Sequence, residues 1–477
     1  MYLGIDIGTS GVKAVIVGST GAVLAQASTP LTVSRPQPLW SEQDPDSWCA
    51  ATEAAVLALP ADLRSAVAAI GLAGQMHGAT LLGADDKVLR PAILWNDGRA
   101  FAECADLEAA VPALRQIAGN IAMPGFTAPK LAWVRRHEPA LFAQVHTVLL
   151  PKDYVRLYLT GEKASDLSDS AGTLWLDVAQ RDWSDELLAA TGLTRAHMPR
   201  LCEGSELTGS LRAEIAARWG MACVPIAAGA GDNAAGAAGV GVIRDGDALL
   251  SLGTSGVIFV ATSQFRPNPA GAVHAFCHCL PGIWHQMSVH LSAASCLDWA
   301  AGLMGLDVPA LLAAAEAATP GPELFLPYLS GERTPHNDPH VRGAFLGLSN
   351  ESDQGRLALA VLEGVAFAHA DGLAALQAAG TRVEALSVIG GGARSRFWGT
   401  IIASTLGVRL DYLDGGEVGP ALGAARLAQI AETGASASEI CVRPPVRETV
   451  IPDPLLAERL APKLEKFRAA YPALKTL

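Results

Sequence analysis

Asp6, Gly8, Thr9, Ser10 and Lys13 fall in one short stretch, Gly4-Ile-Asp-Ile-Gly-Thr-Ser-Gly-Val-Lys13, which combines a carboxylate, two hydroxyls, an ammonium and three glycines. Much of the pattern returns at Leu249-Leu-Ser-Leu-Gly-Thr-Ser-Gly-Val257. Gly253, Thr254 and Ser255 thus repeat Gly8, Thr9 and Ser10 at an offset of 253 − 8 = 245, about half of the 477-residue chain. Each copy reads as an apolar strand, a Gly-Thr-Ser-Gly turn and a returning apolar strand. Backbone N–H groups in such a turn let an oxygen-rich anion approach closely, because glycine has no side-chain bulk and admits positive φ. Matching turns in matching strand contexts point to an internal duplication. Two of them facing each other would grip a polyphosphate from both sides. The second copy has Ser251 where the first has Asp6. That asymmetry points to a nucleotide and a metal ion between two related halves. Asp6 would hold Mg²⁺ through water, since magnesium takes oxygen ligands and keeps much of its hydration, or else cap its own turn. Lys13 reads as a phosphate contact or as a solvated lysine on an edge strand.

Phosphoryl transfer is mostly positioning and electrostatics, with one base for the attacking hydroxyl. Asp232 is the candidate, in Ala228-Gly-Ala-Gly-Asp-Asn-Ala-Ala-Gly236. Small neighbours let a substrate approach, and partial desolvation raises carboxylate basicity. A capping role for Asp232 at the following small-residue helix is compatible with this. Gln75, Met76 and His77 put polar groups at a strand end, and Trp95, Asp97 and Arg99 do so after the next strand. An aromatic wall with several hydrogen-bonding groups suits a polyol, although His77 alone fits an interior histidine equally well. Gly390-Gly391-Gly392-Ala393-Arg394, between a strand and a helix, suits a flat adenosine against bare backbone or any tight strand-to-helix turn.

These residues need a frame. Tyr2–Asp6, Val12–Val17 and Ala22–Ser28 read as a β-meander, followed by a helix over Pro45–Leu59 with Asp44 as cap and Pro45 in the first turn. Val67–Leu72, Thr80–Leu82 and Ala92–Trp95 read as strands, with a helix over Arg99–Glu108. Residues 124–218 look mainly helical. The second half repeats the theme with strands Ala248–Leu252 and Val257–Ala261 and a helix over Ser292–Leu303. A long helix over Gly355–Ala379, a strand Val383–Ile389 and helices Ser395–Leu406 and Pro420–Thr433 follow. The expected fold class is α/β, with two duplicated actin-like ATPase (ribonuclease H-like) domains, 1–243 and 244–477, and the active site in the cleft between them.

Half of the residues are hydrophobic and 17% charged, which supports large cores, and the net charge of −12 with no basic run argues against nucleic acid. Phosphate binding must then come from local geometry. Neither a signal peptide nor a transmembrane stretch is expected, and the eight scattered cysteines show no disulfide framework. Cys277-His278-Cys279 with His274 and His285 lacks a second cysteine pair to complete a zinc site. The expectation is a cytoplasmic, reduced protein without membrane or nucleic-acid partners.

Taken together, the motifs resemble the FGGY family of carbohydrate kinases from Met1 to about Ala431. Asp6–Lys13 and Ser251–Val257 match its two phosphate loops. Gly125–His137 is similar to its first signature, and Gly343–Leu348 through Ala360–Glu363 to its second, with Arg356 where that pattern usually has an acidic or amide residue. Gln75–Gly78, Ile93–Arg99, Gly231–Asn233 and Leu329-Ser-Gly-Glu-Arg-Thr-Pro335 also match. The resemblance implies transfer from ATP to the C5 hydroxyl of D-xylulose, with Asp232 as base and Asp6 near Mg²⁺. It further implies that Met76, His77, Asp232 and Asn233 contact the sugar and that the 390–394 loop contacts adenosine. Two hinged lobes would exclude water. Family members of this type are often dimers, so a homodimer is a further expectation. The rival readings are a family kinase for ribulose, fuculose, gluconate or glycerol, and an actin-like ATPase with no sugar substrate. A dinucleotide enzyme is set aside, because no Gly-x-Gly-x-x-Gly follows the first strand.

Overall fold

Two seven-stranded sheets carry the duplication. In the computed structural model, which describes residues 1–414 and 419–475, the first sheet runs in the order Leu207–Ser210, Pro225–Ala227, Ala69–Gly74, Tyr2–Ile7, Gly11–Val17 and Val23–Pro30, with Ala230–Gly231 pairing further along Ala69–Gly74. The second runs His274–Cys277, Trp284–His290, Gly256–Thr262, Ala248–Leu252, Ala385–Ile389, Arg409–Leu413 and Val446–Val450. In each, an antiparallel meander is extended by two parallel strands and closed by an antiparallel edge strand.

The first strand shows why both faces are covered. Leu3, Ile5 and Ile7 alternate toward a core with Trp48, Ala55 and Val56 of helix Pro45–Leu57, while Tyr2 joins a second cluster with Ala421, Leu422 and Ala425. Strands buried on both faces read as continuous apolar runs. Helix Pro420–Thr433 comes from the second half of the chain, yet it lies on the first sheet. Tyr2 donates its hydroxyl to Glu432, and Gln429 donates to the Ser19 carbonyl. A division at residues 243 and 244 therefore leaves this helix packed against the sheet of the other half. Its approach is so close that a Cβ on Gly4 would strike the Ala421 carbonyl, and one on Gly71 the Ala424 carbonyl. The same helix crosses Asp232–Gly239 with Gly423 set on the Ala235 carbonyl. The small residues along these elements are thus a requirement for backbone contact.

Two expectations change. Residues 124–218 are not mainly helical. Helices Thr127–His137, Pro151–Thr160 and Ala213–Trp219 alternate with strands such as Thr147–Leu149, Ala164–Asp166 and Arg200–Cys202, too short to show a period-two pattern. The helix expected from Ser292 begins at Ser295, because the N–H groups of Ala293 and Ala294 donate to the carbonyls of Thr254 and Gly253 at 2.9 Å each. Helix Gln354–Ala378 is long and apolar enough to cross a membrane, but 89% of its apolar window is buried inside the protein. It is the core helix of the second half, packing with Phe325, Trp398 and Phe467.

Candidate active site

The site forms where strands end side by side. Ile7 pairs with Gly74, and Gly231 pairs with the same Gly74 in parallel register. The Gly8–Gly11 turn, the Gln75–His77 segment and Asp232 thus leave one sheet edge together, the carboxyl end at which open α/β sheets bind ligands. Gly229 makes this possible with φ +78°, its α-carbon pressed onto the Leu72 carbonyl. Asp232 begins helix Asp232–Gly239 as its first residue, after Gly231 as cap. The capping role foreseen for it therefore belongs to Gly231. One Asp232 oxygen, Oδ1, accepts from Asn233 N at 2.7 Å and Asn233 Nδ2 at 2.8 Å. Burial pushes its carboxyl up to about 6, against those two bonds. Asp6 is pushed up to about 7, first by burial and then by the Asp232 charge, while Lys13 acts in the opposite direction. Asp6 Oδ1 is buried with no hydrogen-bond partner. Two facing carboxylates with an orphaned oxygen fit a divalent cation completed by water and phosphate oxygens. Among the described residues no group of three or more His, Cys, Asp or Glu side chains forms a metal cage, the Cys277–His278–Cys279 region included.

Met76 and His77 line the same space. Met76 packs against Gly231, where a Cβ would come 2.9 Å from Met76 Cγ. His77 stands at φ +69°, a conformation non-glycine residues rarely hold outside constrained sites. Its Nδ1 lies 2.6 Å from the Gly172 carbonyl, so Nδ1 carries the proton and Nε2 is a free acceptor. Burial and the Lys130 charge hold the ring well below its usual pKa, hence neutral. Lys130, fully buried, donates to the carbonyls of His77 at 2.8 Å and Gly125 at 2.6 Å. The first family-like signature therefore fixes the backbone of a pocket residue.

Three of the expected sugar contacts are committed elsewhere. Gln75 is 2% exposed, accepts from Thr9 Oγ1 at 2.8 Å and donates to Gln43 Oε1 at 2.9 Å. It braces the first turn from below. Asp97 accepts from Ser41 N and from Arg99 N, Nε and Nη2. Arg99 also pairs with Glu42 at 2.7 Å and stacks 3.6 Å from the Trp40 ring. With both side chains 1% exposed, neither has a group left for a ligand. Asp97 and Arg99 build the loop that carries Trp95, which is 37% exposed and donates Nε1 to Thr9 Oγ1 at 3.0 Å.

Both turns close as hairpins, Gly8 N donating to the Gly11 carbonyl at 3.0 Å and Gly253 N to Ser255 at 3.1 Å. None of Gly8, Gly11, Gly253 and Gly256 uses positive φ. Gly11 is needed because a Cβ would come 2.8 Å from the Thr29 carbonyl, and Gly256 because it would strike His369. Ser10, Thr254 and Ser255 are exposed, whereas the Thr9 hydroxyl is spent on Gln75 and Trp95. Lys13 pairs with Asp6 across the hairpin. In the second half Ser251 pairs with Ile389, which puts the Gly390–Arg394 segment beside the second turn. Gly390 (φ +92°) and Gly392 press on Leu252, while a Cβ on Gly391 would meet nothing within 4 Å. Protein packing leaves Gly391 unexplained, as a flat ligand on bare backbone would not. Ala393 lies in the 3-10 turn Gly391–Arg394, its side chain outside the described residues.

A buried cluster behind Asp232 has no local sequence signal. Lys152 meets Asp153, Asp166 and Asp169 at 2.7, 2.8 and 3.0 Å, all fully buried. Ser168 links it to the site, donating to Asp166 and accepting from Gly231 N at 3.1 Å. Three carboxylates against Lys152 and Arg156 leave one negative charge in excess, and burial drives Asp169 well above the usual carboxylate range. These residues come from two helices and the strand between them, so only the fold unites them.

Two family models cover this architecture. The N-terminal domain of the FGGY family of carbohydrate kinases matches residues 1–239 and its C-terminal domain matches 248–432. The chain belongs to this family and is a carbohydrate kinase, an enzyme that takes ATP as phosphoryl donor. It is 57% identical to the xylulose kinase of Escherichia coli K12 over 100% of both chains. Among solved structures it resembles a xyloylose kinase from Brucella ovis (53% identity, TM-score 0.97, 100% and 99% of the two chains). It also resembles a gluconate kinase from Lactobacillus acidophilus (25% identity, TM-score 0.93, 99% and 97%).

Proposed function

We propose that this enzyme transfers the γ-phosphoryl group of ATP to the C5 hydroxyl of D-xylulose, giving D-xylulose 5-phosphate and ADP. The observation that carries the mechanism is Asp232 beside Asp6 and Met76–His77 at one sheet edge. Full-length similarity to the E. coli xylulose kinase supports the sugar. Asp232 takes the C5–OH proton on a carboxylate oxygen while O5 bonds to the γ-phosphorus and the bond to the β,γ-bridging oxygen breaks, its electron pair leaving with ADP. Met76, His77 and Asn233 hold the sugar, His77 through Nε2, and the Trp95 ring shields it. Ser10 and Lys13 on one side, Gly253, Thr254 and Ser255 on the other, hold the phosphates, with Gly391–Arg394 against adenosine. Asp6 would hold Mg²⁺, which neutralises charge on the β- and γ-phosphates. The lobes built on the two sheets close over this cleft, helix Pro420–Thr433 staying with the first. A homodimer and a cytoplasmic setting belong to the same reading, the second in keeping with eight unpaired cysteines.

ADP release with Mg-ATP against D-xylulose, D-ribulose, L-ribulose, glycerol, gluconate and no sugar tests the proposal. Strong preference for D-xylulose that Asp232→Ala abolishes is expected. The likeness to a gluconate kinase makes gluconate the competitor to watch. Preference for it overturns the sugar, and sugar-independent turnover surviving the mutation overturns the base.

A further inference from the structure

Arg333 belongs to the second half of the chain, yet it reaches the sugar-binding loops of the first. A Cβ on Gly125 would lie 3.6 Å from Arg333 Nη2 and 2.5 Å from the Trp95 carbonyl. Its charge acts on His77 and on His274. Arg333 is partly buried, and burial holds its pKa down against the Glu332 charge. A cation so placed ordinarily has a carboxylate partner. Among the described residues Arg333 has none. The adjacent Glu332 is turned away, Oε1 accepting from Leu291 N at 3.0 Å and Arg333 N at 2.8 Å, and Oε2 facing His290 Nδ1 at 3.3 Å. The loop itself is rigidly tied: Thr334 N donates to Val289 O at 3.1 Å, and Thr334 Oγ1 bonds both Val289 N and Ala272 O at 3.0 Å.

Resting on the function proposed above, we infer that Arg333 is a specificity residue for the sugar, donating paired N–H bonds to the oxygens at the carbonyl end of an open-chain ketose. Arginine is donor only and its fork is planar. A carbonyl oxygen is acceptor only, so a ketose matches the fork where an alditol offers hydroxyls that also need acceptors. The guanidinium lies beside Gly125, whose carbonyl shares the Lys130 ammonium with that of His77, and Asp232 follows Gly231, which packs on Met76. A neutral substrate explains why the cation has no ion-pair partner among the described residues, and its position on the second half lets sugar binding draw the two halves together.

The test compares wild type with Arg333→Met and Arg333→Lys on D-xylulose and on xylitol and D-arabitol, its two carbonyl-reduced forms. Arg333→Met should raise KM for D-xylulose about 10- to 100-fold, as loss of charged hydrogen bonds does, while KM for ATP moves less than about 3-fold. The ketose-to-alditol ratio of kcat/KM should fall about 10-fold or more, with Arg333→Lys intermediate. An unchanged sugar KM, or equal falls for ketose and alditols, overturns the proposal. If the methionine variant does not fold, the lysine variant supplies the same ratio. Wild-type turnover of D-xylulose decides the underlying function by itself, before any variant is considered.

Discussion

At the scale of single residues the site is two raised carboxylates, Asp6 near 7 and Asp232 near 6. Under the proposed mechanism both act ionised, so kcat/KM should fall as pH drops below about 7, more steeply below about 6. Stability should move the other way. A carboxyl raised in the folded state binds more protons there than in the unfolded chain between pH 4 and 7, so folding weakens as pH rises through that window. Asp232→Asn should therefore lower kcat by about 10²–10⁴-fold yet raise Tm at pH 8 by roughly 1–3 °C, read by calorimetry at pH 5 and 8. Arg99→Ala should do the reverse. It strips Asp97 and Glu42 of a buried partner, which costs about 3–5 kcal/mol in urea unfolding, while kcat/KM of the folded fraction at low temperature stays close to wild type. Large kinetic loss with little destabilisation would instead return Arg99 to the sugar. Asp232 was legible as a candidate because its neighbours are all small, which leaves room for a substrate. Asp97 and Arg99 were not, because a polar cluster at a strand end reads the same whether it serves a ligand or itself. Only Glu42, Ser41 and Trp40, half a hundred residues upstream, distinguish the two cases.

Among the elements, hairpins and long helices were visible from their patterns, down to Pro420–Thr433 with its proline start and glycine stop. The short ladders of residues 147–202 were hidden, since two or three residues carry no period. Glycine was visible without its reason. Gly391→Ala and Gly423→Ala separate two such reasons. The first adds a methyl into open space, so Tm should hold within about 1 °C while KM for ATP rises several-fold if adenosine lies there. The second drives a methyl into the Ala235 carbonyl and should cost about 1–3 kcal/mol, with kcat falling because Asp232 heads the helix that is displaced. Thermal melts and nucleotide titrations on the two variants check both.

For the whole molecule, the clefted design means that ligands should stabilise it jointly. D-xylulose at 100 times its Kd should add about 2.7 kcal/mol, and a non-hydrolysable ATP analogue added after the sugar should add more than it does alone if the halves close around both. Additive Tm shifts would sink that coupling. The duplication was plain from two turns 245 residues apart, but how the halves are stitched was not. The helix Pro420–Thr433 covers a glycine-bearing face of the very first strand. On the ribosome that strand emerges 433 − 7 = 426 residues before its cover is complete, roughly 20–90 s earlier at about 5–20 residues per second. Through that interval the nascent amino-terminal sheet has one bare apolar side. The protein therefore cannot mature half by half in order of synthesis; its first strand is among the last parts to be finished, and a chain stopped short of Pro420 should be held by chaperones rather than released as a folded half.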